Sequence, residues 1–105
     1  MNEILLVVHD ASKVKYAASM ARELTEKLSD QDVKITLFAE GSPASRMLVN
    51  EEGKISRITA AGGEVVSCIH DFQDAEMLSR ISNVISECIV DLEKRAKEGA
   101  EVLHY

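Results

Sequence analysis

Tryptophan is absent from this chain, and only two Phe and two Tyr occur in its 105 residues. No stretch approaches the roughly 18 consecutive apolar residues of a membrane-crossing helix, so no membrane span is expected. The first residues, MNEILLVV, carry neither a basic region nor a long apolar one, so no signal peptide is expected. Cysteine is scarce, at two residues. Without an export signal, that points to a cytoplasmic protein with reduced thiols, and a disulfide between the two is not expected. C-x-x-C, H-x-x-x-H and H-E-x-x-H spacings are all missing, so no metal site is expected. So are G-x-S-x-G, G-x-x-x-x-G-K-[ST] and G-x-G-x-x-G. Ser42 and Ser67 therefore lack the setting of a hydrolase nucleophile, and no nucleotide or other cofactor is expected.

Basic clusters are missing as well. The formal charge is −6, which repels nucleic acid and anionic membranes at a distance, so neither is expected as a partner. The densest basic group, Lys94, Arg95 and Lys97, falls late in a predicted helix, where it complements the helix dipole.

What is present is ordinary for a globular protein: 46% hydrophobic and 29% charged residues. The length fits a single domain over residues 1–105. A chain of this size buries about two-thirds of its unfolded surface and needs no covalent staples.

Residues 3–8 (EILLVV) form a continuous apolar run, the pattern of a strand covered on both faces. Val14, Ala17, Ala21, Leu24 and Leu28 then recur at steps of three and four, which predicts a helix. Residues 33–39 (VKITLFA) predict a second strand. After Glu40 and Gly41, Ser42 suits a helix N-cap and Pro43 the first helical position. Ile55, Ile58 and Ala61 mark a further short helix that Gly62 and Gly63 end, and residues 64–69 (EVVSCI) predict a third strand. Strands alternating with helices across short connections imply βαβ units and a parallel sheet.

The last third has two readings. Residues 74–98 can be one long helix, since Ile81, Val84, Ile85, Cys88, Ile89 and Leu92 keep helical spacing. Alternatively residues 81–86 (ISNVIS) form a short fourth strand, as their β-branched and small polar residues favour, with a helix after them. Gly99 ends the final helix and residues 100–104 predict a last strand near an edge.

Sites in an open parallel sheet form beyond the carboxyl ends of the strands. His9 and Asp10, then Glu40, Gly41 and Ser42, then Cys68, His70 and Asp71 fall at such ends. Cys68 is the candidate reactive thiol. A helix N-terminus soon after it would favour the thiolate, the form useful as nucleophile or sulfur carrier. Strand alternation puts His70 on the same side as Cys68, where it, His9 and Asp10 could support the thiol. Gly41 and Ser42 could hold a small anion at a helix start. Against these stands a plain alternative: a free Cys is among the most buried residue types and usually inert, and Cys88, on an apolar stripe, reads as core.

Four segments together resemble the DsrE/DsrF-like, or YchN-like, family of small sulfur-relay proteins. ILLVVHDASKVKYAASMARELTEKL is similar to that family's first strand and Ala-rich helix, and LFAEGSPASRML to its second strand and Gly-containing turn. AAGGEVVSCIHD is similar to the segment where a Gly leads into the third strand and a Cys ends it, and EKRAKEGAEVLHY to the closing helix, Gly and strand. The resemblance implies an α/β fold, a small three-layer domain with a five-stranded, mostly parallel sheet flanked by helices and a strand at residues 81–86. It implies homo- or hetero-oligomers, trimers and hexamers among them, and sulfur donor or acceptor proteins as partners. It places a persulfide on the Cys after the third strand, here Cys68, in a sulfurtransferase-like carrier. The chain departs from the pattern after that Cys: IHDFQDAEM is acidic, with no Lys or Arg before Arg80. The opening segment also resembles the start of a universal stress protein, but the Gly-rich nucleotide loop of those proteins is missing.

Overall fold

The computed structural model describes residues 2–105. Five strands, β1 (Asn2–Val8), β2 (Val33–Glu40), β3 (Glu64–Cys68), β4 (Asn83–Ile85) and β5 (Glu101–His104), form one sheet in the order β4-β3-β2-β1-β5. Every neighbouring pair is parallel, so the expected α/β sheet is parallel throughout. The helices are α1 (Val14–Lys27), α2 (Ser42–Met47), α3 (Glu52–Ala60), α4 (Ala75–Ser79) and α5 (Cys88–Lys97). None of them is long and apolar enough to cross a membrane.

The strand order dictates the layers. From β1 to β4 the chain steps one strand at a time toward one edge, so right-handed crossovers keep the intervening helices on one face. From β4 to β5 it returns across the whole sheet, and the same handedness puts α5 on the other face. Side-chain alternation divides the core to match. Leu6, Val8, Ile35, Leu37 and Val65 pack with Val14, Ala17, Ala21, Leu48, Ile55 and Ile58. Leu5, Val7, Phe38, Val66 and Cys68 pack against Cys88, with Leu92 and Val102 beside them. Ten residues of α5 therefore do for one face what several helices do for the other.

The two readings of the last third resolve in favour of the strand, shortened to Asn83–Ile85. Helix α4 stops first: the N–H groups of Ile81 and Ser82 both donate to the Leu78 carbonyl. Val66, Ser67 and Cys68 then align with Asn83, Val84 and Ile85. The Ser67 and Ser82 hydroxyls, 2.7 Å apart, tie the new strand to its neighbour. Ser67 is fully buried there, so it is not placed as a nucleophile.

The predicted stop at Gly62 and Gly63 is present in full. The Gly62 N–H donates to Thr59 O at 3.1 Å and the Gly63 N–H to Ile58 O at 2.8 Å, the paired bonds of a Schellman cap. Gly62 supplies the positive φ of +92°. Gly63 is required for another reason, since a Cβ there would lie 2.6 Å from Ile58 Cγ2 and 2.9 Å from the carbonyls of Ile35 and Ile58. The expected cap at Ser42 is corrected by one residue. Gly41, at φ +93°, is the N-cap, its carbonyl accepts from the Ser45 N–H, and Ser42 is the first helical residue with Pro43 after it.

Candidate functional site

Because all five strands run the same way, their carboxyl ends share one rim. His9 and Asp10 follow β1, Glu40 and Gly41 lie at the end of β2, Cys68 ends β3, Ser86 and Glu87 follow β4, and His104 ends β5.

Cys68 does not reach solvent: its exposure is 0%, and it lies among Leu5, Val7, Phe38 and Val66. Alternation turns it, like Val66, toward the face that α5 covers. Cys88 is the first residue of α5, and the two cysteines are joined as a disulfide with Cα atoms 5.7 Å apart. This corrects the expectation of two separate thiols. The cause is local: β4 places Ile85 directly beside Cys68, and only Ser86 and Glu87 separate Ile85 from Cys88. So short a link leaves the first residue of α5 over the last residue of β3.

The helix end also belongs to the other cysteine. After Cys68 come a 3-10 turn, Phe72–Asp74, and the five residues of α4, so no substantial helix dipole points at its sulfur. Cys88 instead begins a helix of ten residues whose N-cap, Glu87, makes no side-chain cap bond. The first N–H groups of any helix have no partner within it, and their partial positive charge favours a thiolate.

A cleft of about 390 Å³ opens at this helix start, lined by Glu40, Gly41, His70, Glu87, Cys88 and Val90 among others. Cys88 is thus the cysteine that lines the cleft, and Cys68 lies behind it. His70, read as a neighbour of Cys68, is exposed and lines the cleft with Cys88.

His9 stands a little apart, linked to the cleft through Glu40. Its Nδ1 is 3.0 Å from Glu40 Oε2, and its Nε2 is 2.9 Å from His104 Nδ1. The two imidazoles are stacked, with centroids 5.2 Å apart. The Glu40 carboxylate is placed to accept from His9 Nδ1–H, and which imidazole donates in the His9–His104 bond depends on the tautomer. The sequence assigned no role to His104. Its signal was the register of the last strand, which sets it beside Val7. Asp10 has a structural part: it accepts from the Ser12 N–H at 2.9 Å and the Ser12 hydroxyl at 2.7 Å, and these bonds hold its carboxyl below the usual range. At the turn expected to hold a small anion, the Gly41 N–H donates to the Cys68 carbonyl at 2.8 Å. That bond also ties the second turn to the end of β3.

The opposite rim carries charge but neither histidine nor cysteine. Arg95, near the carboxyl end of α5, reaches Glu3 at 2.7 Å, Glu64 at 3.1 Å and Asp91 at 2.6 Å, and Lys34 reaches Glu64 at 2.7 Å. Sequence alone read Arg95 only as dipole compensation. Burial by itself would raise the carboxyl of Glu64, yet bonds from Lys34, Arg95 and Asn83 outweigh it and hold the group at about 2. A second cleft of about 350 Å³ at that end is lined by Thr59, Gly63, Ser79 and Arg80, with no thiol or imidazole. Among the described residues no group of three or more His, Cys, Asp or Glu is arranged to hold a metal ion.

No family model matches the chain, and no curated protein matches it. Among solved structures, the crystal structure of the ychN protein from E. coli matches over 100% of both chains, with a TM-score of 0.59 and 21% identity. The fold of this chain is therefore YchN-like.

Proposed function

We propose that this protein is a DsrE-like thiol sulfur carrier whose sulfur chemistry takes place at the Cys68–Cys88 pair. Cys68 is the persulfide-bearing residue by family likeness, and Cys88 is its partner at the cleft. The observation that carries this reading is the meeting of the two cysteines at the carboxyl rim, beside an open cleft, where sheets of this type place their sites. In the reduced protein, a sulfane donor passes one sulfur to the Cys68 thiolate and leaves as its own reduced form. A second thiol then takes the sulfur on. The test is intact mass spectrometry of the reduced protein after incubation with a sulfane sulfur donor. A gain of one sulfur atom, lost in Cys68→Ser, is expected. No gain in the reduced wild type contradicts the carrier role.

The burial of Cys68 favours a second reading, an assembly or binding module with no covalent chemistry. Ile89 at 70% and Val90 at 61% exposure, adjacent on α5, offer an apolar surface for a homo-oligomer. On this reading Cys68→Ser changes neither assembly nor binding, and Ile89→Glu lowers the mass seen by light scattering.

A further inference from the structure

We propose that Cys68 and Cys88 form a reversible dithiol–disulfide couple in which Cys88 is the nucleophile and point of attack, and Cys68 is the resolving thiol. The partner is an external dithiol, such as the active-site pair of a small reducing protein.

Three observations support the assignment. First, the two residues are asymmetric: Cys68 is fully buried, whereas Cys88 keeps 7% exposure and lines the cleft. An incoming thiolate therefore meets the Cys88 sulfur, and Cys68 is the leaving group behind it. Second, Cys88 opens α5, whose first-turn N–H groups are not capped by a side chain, so its thiolate is the better stabilised of the two. Third, the bond is not needed to hold a core of this size together.

The chemistry balances without any further reactant. One thiolate of the dithiol attacks Cys88 Sγ, forming a mixed disulfide, and the Cys68–Cys88 bond breaks with its electron pair going to Cys68. The second thiol of the dithiol then attacks its own mixed-disulfide sulfur, and Cys88 departs. The dithiol ends as a disulfide. Its two protons and two electrons end on Cys68 and Cys88. In the other direction Cys88 attacks a disulfide partner and Cys68 resolves the intermediate.

This couple goes beyond the sulfur-carrier reading and stands without it, since sulfur uptake is read by mass gain and the couple by thiol labelling. The test is timed alkylation of the folded, reduced protein with iodoacetamide, quantified by peptide mapping. Cys88 is expected to label about tenfold or more faster than Cys68. Dithiothreitol is expected to open the bond in the native protein, and glutathione disulfide to reform it. Cys68→Ser is expected to trap a stable mixed disulfide between Cys88 and glutathione, and Cys88→Ser is expected to trap none. Wild-type labelling keeps the test decisive should either variant fail to fold. Equal or Cys68-first labelling, or a bond that dithiothreitol opens only in urea, would overturn the proposal.

Discussion

At the scale of single residues, what a position does depends on which side of a strand it faces and on what lies across from it. The value of Cys68 was legible as a thiol ending a strand. Its burial was not, because that depends on the helix that covers its face, twenty residues further along. Cys88 was read as core from its apolar stripe, and it is indeed nearly buried. That stripe carried no sign that the same residue begins the helix and lines a cleft. Gly63 is the opposite case, since the glycine pair was legible as a stop. Gly63→Ala is expected to destabilise the fold by about 1–3 kcal/mol, because the new methyl meets backbone carbonyls that cannot move aside. Urea unfolding with an unchanged m-value checks it. Destabilisation of only a few tenths would mean that the α3-to-β3 turn has room.

At the scale of elements, α5 links the two rims. Its first residue joins β3 at the carboxyl rim, and Arg95 in its last turn joins β1 and β3 at the other. The side chain of Arg95 is only 16% exposed. Arg95→Met removes the cation shared by Glu3, Glu64 and Asp91, leaving Glu64 with Lys34 and Asn83 and Glu3 with the Thr36 hydroxyl. It is expected to lower stability by roughly 1 to 2 kcal/mol, after allowance for the solvent that still screens the network. A loss within a few tenths in urea titration would show that the network is ornamental. Glu64 gives the same cluster a pH signature. Folding lowers its carboxyl from an ordinary 4.5 to about 2. Its contribution is therefore present above pH 4.5 and is lost as the pH falls toward 2. Glu64→Gln is expected to flatten stability across that window and leave the slope above it unchanged. An acid limb identical to wild type would contradict the assignment.

At the scale of the molecule, the alternation of strand and helix was legible through residue 69, because each element there is long enough to declare its period. β4 was not, for a physical reason: three residues are too few to show an alternation of two, and the surrounding apolar spacing fits a helix equally well. The placement of α5 on the opposite face follows only once β4 exists, so the pairing of the cysteines was hidden behind that one ambiguity. The histidine chain His9–His104 was hidden similarly, since it joins the first strand's end to the last.

The account rests on the start of α5 lying over the end of β3. Non-reducing peptide mapping of the full-length protein, after mild oxidation at high dilution, tests that placement most directly. It is expected to yield a single linked pair of peptides, one holding Cys68 and the other Cys88, within one chain. Recovery of both cysteines as free thiols, or only in bonds between chains, would contradict it.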